Sequence, residues 1–481
     1  MNHPSRRQVL RMGATALAAG LLPTRWALAS TDPREVDVVI VGGGLAGLAT
    51  ARTLVEQGVD SFVVLEARDR VGGRTYDLPI PGGHVVEGGG EWIGPGQDRI
   101  AALAAAVGVD TFPAYYDGDG LFEIQQHVSR GMLPDLTLRQ GGNFMRLAWR
   151  LQRMANRLPE GAPWLAEHAA VLDRTTLAEW LVEQGASPWT LESFRIITRA
   201  IMSGYPEDIS TLWFLFYLQS GGGLFRIASN EGGLQDLRFH GGSQRVSVKA
   251  AESLGQRVRL GEPVWSIADG SRRVEVRTPR ATYHARRVVV AMAPADTLRV
   301  DFLTGLSPQR TELVRRWAQL PRLPLIKHSV LYEKPFWREA GLNGNVATDH
   351  APLQLVFDNS PPDGSLGVLT CFLSPAEVPG LADREERARR VPVELARYFG
   401  PQALEAKGAV EKDWATDAWS TGCITPLTPG MLTAGGPALR DPVGKIHWAG
   451  TESATRGCGY MDGAVRSGEV VAAEVVAALR G

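Results

Sequence analysis

The apolar positions of the first hundred residues change period twice within thirty residues. Val38 to Val41 is an unbroken β-branched run of the length of a buried strand. From Leu48 through Ala51 to Leu54 and Val55 the apolar spacing becomes helical. Phe62 to Leu65 is a second strand-like run, ending on the acid Glu66. Between the first run and the helix lie Gly42, Gly44 and Gly47, spaced G-x-G-x-x-G. The pattern predicts a βαβ unit that binds a dinucleotide. Gly42 serves the tight turn, Gly44 admits a pyrophosphate at the helix N-terminus, and Gly47 lets helix and strand pack closely. Glu66, 19 residues past Gly47, is placed to accept hydrogen bonds from a ribose. A glycine turn that merely joins two elements is the competing reading, and the second strand with its terminal acid weighs against it.

Beyond Glu66 the pattern turns glycine-rich. Arg68, Gly72, Gly73 and Arg74 suit a loop whose backbone and guanidinium groups lie against phosphate, rather than a solvated charged turn. Glu87-Gly88-Gly89-Gly90-Glu91-Trp92 has no core-forming value and fits a backbone that must approach a flat ligand. Helical spacing then dominates residues 98–220: Ile100 to Val107, Leu147 to Leu158, Thr176 to Gln184 and Leu191 to Met202. This stretch is expected to be a mainly helical insertion. Short strands are expected at Arg257–Leu260, Val264–Ile267, Val274–Arg277 and Val288–Ala291, the last returning to the first sheet. Ile326–Tyr332 and Gly367–Leu373 read as strands, Arg384–Tyr398 as a helix, and Val465–Leu479 as the last helix. No internal repeat appears.

Length adds that 481 residues exceed one ordinary domain. The fold class is α/β (α+β). Charge excludes a class of partner: 51 basic and 52 acidic residues leave no electrostatic footprint for nucleic acid. The cysteines, Cys371, Cys423 and Cys458, form neither a C-x-x-C pair nor a ligand cluster, so no metal site is expected. Ser5-Arg6-Arg7-Gln8-Val9-Leu10, a short apolar stretch and Ala27-Leu28-Ala29 read as a Tat-type signal peptide over residues 1–29, cleaved near Ala29. The expected location is therefore the bacterial periplasm, reached through the Tat machinery. No other stretch has the length of a membrane anchor, Leu212–Leu218 being too short.

The motifs, taken in order, resemble the flavin-containing amine oxidases, most of all the monoamine oxidases. The resemblance rests on Gly42–Gly47 with Glu66, Val71–Thr75, Gly89–Gln97, Leu212–Leu215, Gly241–Ser243, Lys327 with Pro335–Trp337, Ser420–Cys423 and Ala449–Gly463. It implies FAD and a Rossmann-like FAD-binding domain (36–115, 226–300 and 413–481) interleaved with a mixed sheet-plus-helices substrate domain (116–225 and 301–412). It implies oxidation of a primary or secondary amine to an imine, which hydrolyses, with oxygen reduced to hydrogen peroxide. Cofactor contacts are implied for Gly42, Gly44, Gly47, Glu66, Arg68, Gly73, Arg74, Gly90, Glu91, Trp92, Val264, Trp414, Cys423, Thr451 and Glu452. Lys327 matches a lysine that holds a water near the flavin; a lysine in an apolar strand that is buried implies a role, whereas a surface one would snorkel. Tyr460 matches one wall of an aromatic cage for the amine, the alternative being a packed core tyrosine.

The chain departs from the pattern at Ile424, where the monoamine oxidases carry the second cage tyrosine; Trp419 is the aromatic that could replace it. Gln235 falls where the family has a substrate-contacting glutamine, and Ala228 and Leu355 where it has larger gating side chains, implying a wider entrance. Cys423 stands where a cysteine bonds the flavin, so covalent FAD is open alongside a buried small thiol. The expected partners are a small-molecule amine and oxygen, with a homodimer as the possible assembly. L-amino-acid oxidase, polyamine oxidase, a dehydrogenase using another acceptor and a non-catalytic flavin-binding scaffold remain the alternatives. The first would want an arginine after the glycine loop, where Glu91 and Trp92 stand.

Overall fold

The computed structural model describes residues 34–320, 326–374, 378–420, 422 and 426–481. The signal-peptide reading and those for Cys423 and Ile424 lie outside the described residues. Two sheets carry the fold. The first has eight strands, with a parallel centre: Thr282–Val290, Arg34–Val41, Phe62–Leu65 and Val258–Arg259. The anticipated βαβ unit is present, its helix running Leu45–Glu56. Val288 returns to the first sheet as its spacing predicts, paired with Val39, and Ile446–Trp448 extends that strand on its far side. The strand expected from Val264 begins at Ser266, two residues later. The final helix, Met461–Arg480, packs along Leu45–Glu56.

The second sheet has seven strands, in the order Gly408–Asp413, Ile326–Tyr332, Gly367–Leu373, Leu353–Asp358, Leu342–Thr348, Asp119–Ile124 and His127–Gly131. Its last two members correct the expectation of a mainly helical stretch from residue 98. They form a hairpin turned by Gln125 and Gln126, both at positive φ (53° and 65°). Glutamine is not a turn residue of the kind that flags such a hairpin, so the sequence carried no signal for it. One face of this sheet packs Ile326, Val330 and Tyr332 against the helix Arg384–Phe399. Alternation along the strand therefore sends Lys327 and Ser329 to the other face, where Lys327 meets the loop after the Val85–Glu87 strand.

Helices fill the remainder of residues 138–228. Leu138–Ala155 starts nine residues before the expected Leu147, because Thr137 and Gln140 form a reciprocal capping box ahead of the apolar stripe. Thr211–Ser220 is buried almost all round, which explains its uninterrupted apolar text: it is the centre of a helical core, with Trp213 and Phe214 fully covered. Among the described residues no helix is long and apolar enough to cross a membrane.

Candidate functional site

A long cleft opens at the carboxyl ends of the parallel strands, the usual ligand position in such sheets. Four of these strands deliver a lining residue just past their ends: Gly42 after Val41, Glu66 after Leu65, Ala291 after Val290, and Gly450 after Trp448. Of the residues singled out from sequence, Gly42, Gly44, Glu66, Arg68, Gly73, Arg74, Gly90, Glu91, Trp92, Gln235, Val264, Lys327, Trp414, Thr451 and Tyr460 line it. They come from segments hundreds of residues apart, and the fold makes them one wall.

The glycine turn divides its labour as the spacing predicts. A Cβ on Gly47 would lie 2.0 Å from the Gly42 carbonyl oxygen, so this position is closed to any side chain. A Cβ on Gly44 would meet nothing nearer than 3.8 Å and would project into the cleft. The helix it starts has no side-chain cap and no acid in its first turn, which leaves amide donors for an anion. Glu66 accepts from the Gly43 N–H (2.7 Å) and the Arg68 N–H (2.9 Å). Arg68 pairs with Asp417 at 2.6 Å. Lys412 joins them at 2.8 Å, and although burial opposes it, these cations hold the Asp417 carboxyl well below the usual range.

Glu452 does not line the cleft. Its carboxylate receives both terminal nitrogens of Arg74, at 2.5 and 3.0 Å, so its part is to hold Arg74 on the wall. Gly47 is likewise behind the surface. Of the two positions matched to gating side chains, Ala228 is exposed at the end of a short helix and Leu355 sits beside Phe372 in the sheet; neither is on the cleft wall. Phe357, one pleat along from Leu355, reaches the aromatic wall instead, 4.7 Å from Trp92 between ring centroids. Phe372 closes this group, 5.6 Å from Phe357.

Lys327 stands over these rings, its Nζ 4.9 Å from the Trp92 centroid and 5.2 Å from that of Phe372. It is 4% exposed. Its ammonium donates to Glu91 Oε2 (2.6 Å), to the Gly89 carbonyl (2.9 Å) and to the Glu87 carbonyl (3.2 Å). An ammonium has three N–H donors, and all three have protein acceptors here. The water-holding part implied by resemblance therefore competes with contacts the chain already makes. Behind Glu91 lies Arg238, which sequence reasoning missed. It is 3.5 Å from Glu91 Oε1 and donates to Glu87 Oε2 at 2.9 Å. Two acids within one glycine loop were the available signal, since buried carboxylates require counter-cations.

On the opposite side of the same cleft, Tyr460 lies 5.5 Å from Tyr217 between ring centroids, at an angle of 35°. Gln235 lines the cleft with its Nε2 donating to the Ile227 carbonyl (3.3 Å) while its buried Oε1 has no hydrogen-bond partner among the described residues. Trp419 is also on the wall. The described residues contain no cluster of metal ligands. Cys371 and Cys458 are buried thiols whose pKa burial raises, which suits packing and not reactivity.

A parallel-sheet cleft with an uncapped helix at one end and an aromatic chamber around a buried lysine at the other defines a nucleotide-cofactor oxidoreductase. The family model for flavin-containing amine oxidoreductases matches residues 45–476. A flavin-containing amine oxidase of Oncorhynchus mykiss is 36% identical over 462 residues, covering 93% of this chain and 87% of the relative. Among solved structures, cyclohexylamine oxidase from Brevibacterium oxydans superposes with a TM-score of 0.86 at 30% identity, covering 93% of this chain and all of that one. A putrescine oxidase bound to putrescine gives the same TM-score, identity and coverage. The chain belongs to the flavin-containing amine oxidoreductases and is an oxidoreductase acting on amines.

Proposed function

We propose that the protein oxidises apolar primary or secondary monoamines, with FAD lying along the cleft and oxygen as the final acceptor. The observation that carries the substrate class is charge balance. Every charged side chain lining the cleft, among the described residues, meets an opposite charge in the wall or directly behind it: Glu66 with Arg68, Arg74 with Glu452, Asp296 with Arg299 and Glu91 with Lys327. No wall carboxylate stands ready for the second ammonium of a diamine, and no wall cation for the carboxylate of an amino acid. What remains around Tyr460 and Gln235 is apolar or aromatic: Trp92, Ala200, Leu234 and Phe372. Relatives include an enzyme named for cyclohexylamine, a substrate of that chemistry.

The open space at Gly44 and the uncapped helix fit a pyrophosphate, and the carboxylate of Glu66 fits a ribose. Arg74, Gly90, Trp92 and Thr451 would hold the remainder. Bound there, the flavin supplies the two-electron acceptor that no side chain can provide. The chain's own groups orient the amine: Gln235 Oε1 accepts one N–H, and the Tyr460 ring covers the neutral nitrogen and its carbon. Amine to imine releases two electrons and two protons, which oxygen takes up as hydrogen peroxide. A peroxide assay on the purified yellow protein tests the reading, using benzylamine, cyclohexylamine, putrescine, spermidine and L-leucine. Turnover of the diamine or amino acid alone overturns the substrate class.

Two further readings rest on sequence only. Cys423 supplies a thiol for a covalent flavin link, and colour that passes wholly through a filter after acid denaturation rejects that link. Residues 5–29 direct export, which cell fractionation of the full chain tests.

A further inference from the structure

The buried group behind the aromatic wall contains two carboxylates and two cations. Glu87 and Glu91 are 1% and 2% exposed, Arg238 and Lys327 each 4%. They arrive from three places: the loop after the Val85–Glu87 strand, the Leu237–Phe239 strand, and the Ile326–Tyr332 strand of the second sheet. Arg238 is the hinge of the arrangement. It reaches Glu87 at 2.9 Å, Glu91 at 3.5 Å and the Ser360 carbonyl at 3.1 Å, while its guanidinium faces the Phe112 ring at 5.2 Å. It touches neither Lys327 nor the cleft.

We propose that Arg238 is a positioning residue for Lys327, fixing the Glu91 carboxylate against the Lys327 ammonium by balancing Glu87 and Glu91 with a second buried positive charge. With both cations present the group is neutral overall: Glu91 accepts a hydrogen bond from Lys327 at Oε2 and turns Oε1 toward Arg238 Nε at 3.5 Å, an ion-pair separation without a hydrogen bond. Remove the Arg238 charge, and two carboxylates compete for one ammonium. Burial and mutual repulsion then favour protonation of one of them at neutral pH. A protonated Glu91 no longer anchors Lys327, whose place on the Trp92 and Phe372 rings is then held only by two carbonyls.

Other charged groups face the four. Asp77 lies beside Glu87, Tyr116 beside Glu91, Asp358 beside Arg238, and Lys412 packs at the Gly88 turn. Asp358 is committed to Arg338 at 2.8 Å, and Lys412 to Asp417. Burial and the Glu87 charge push the Asp77 carboxyl up to about 7, so its transition belongs to the native protein and moves down where Glu87 is neutral; only a transition that is neither native nor that of Asp77 counts.

The inference rests on the flavin amine oxidase reading, and the test separates the two. Purified holoenzyme carrying Arg238→Met or Arg238→Lys is compared with the native protein in two ways. The visible flavin spectrum is titrated with acid and base without amine, and the rate of anaerobic bleaching by cyclohexylamine is followed against pH. Arg238→Met is expected to show a new ionisation between about pH 6 and 9 in both records. Arg238→Lys is expected to return most of the native profile. If Arg238→Met does not yield folded protein, Glu87→Gln/Arg238→Met keeps one acid against one cation and is expected to lack the new ionisation, with the Asp77 transition alone displaced downward. Superimposable profiles for native and Arg238→Met protein, with a lower melting temperature as the sole change, overturn the inference. So does the new ionisation between about pH 6 and 9 persisting in the double variant. A native flavin that no amine bleaches overturns the amine oxidase reading instead, while the spectral titration still decides the part of Arg238.

Discussion

The Lys327 ammonium and the Glu91 carboxylate, 236 residues apart in the chain, meet at 2.6 Å with both side chains almost wholly buried. Burial, with the Glu87 charge behind it, pushes the Glu91 carboxyl up to about 7, and Lys327 and Arg238 are what keep it from rising further. Breaking such a pair from one side leaves an unpaired buried charge. Lys327→Met should therefore lower stability by about 3–5 kcal/mol. Lys327→Met/Glu91→Gln should recover a large part of that in chemical denaturation, while the rate of amine oxidation stays low in both.

The two glycines of the turn should separate flavin binding from folding. Gly44→Ala adds a methyl group that meets nothing within 3.8 Å but occupies the cleft. It is expected to fold with near-native circular dichroism and to copurify with little flavin. Gly47→Ala drives a Cβ to 2.0 Å from the Gly42 oxygen. Its expected cost is about 3 kcal/mol or more, read as loss of soluble protein.

Asp77 gives the stability a pH dependence. Burial first, then Glu87, push its carboxyl from 3.8 up to about 7. The folded state binds this proton more tightly than the unfolded chain. The contribution is therefore fully present below the unfolded value and is lost as pH rises through the folded one. The melting temperature should fall between about pH 4 and 7, and Asp77→Asn should flatten that slope. Equal slopes for both proteins would show that another group is responsible.

Gln235 keeps a buried acceptor without a hydrogen-bond partner among the described residues, a local cost that an amine N–H can relieve. Gln235→Leu should raise KM for a good monoamine about tenfold, the worth of one hydrogen bond, with a smaller change in kcat. Its melting temperature should stay level or rise, because the orphaned oxygen is gone. A fall in both kcat and stability would instead make Gln235 part of the wall's framework.

Much of the fold could be read from periodicity. The βαβ unit, the returning strand at Val288, and the strands Ile326–Tyr332 and Gly367–Leu373 each follow from local apolar spacing, with boundaries close to those observed. The Gln125–Gln126 hairpin could not, since its turn chemistry is supplied by tertiary context and not by glycine or asparagine.

The sequence by itself determined many of the residues that gather at the cleft, because glycine spacing, strand-terminal acids and a lysine in an apolar strand are local signals. It could not decide which charges are spent on one another. Glu91 bears no mark of Lys327 or Arg238, Arg74 none of Glu452, and Ala228 none of its exposure. Those pairings join segments far apart in the chain, and pair strength depends on burial, which only packing sets. The tertiary structure thus turned a row of charged candidates into a balanced wall.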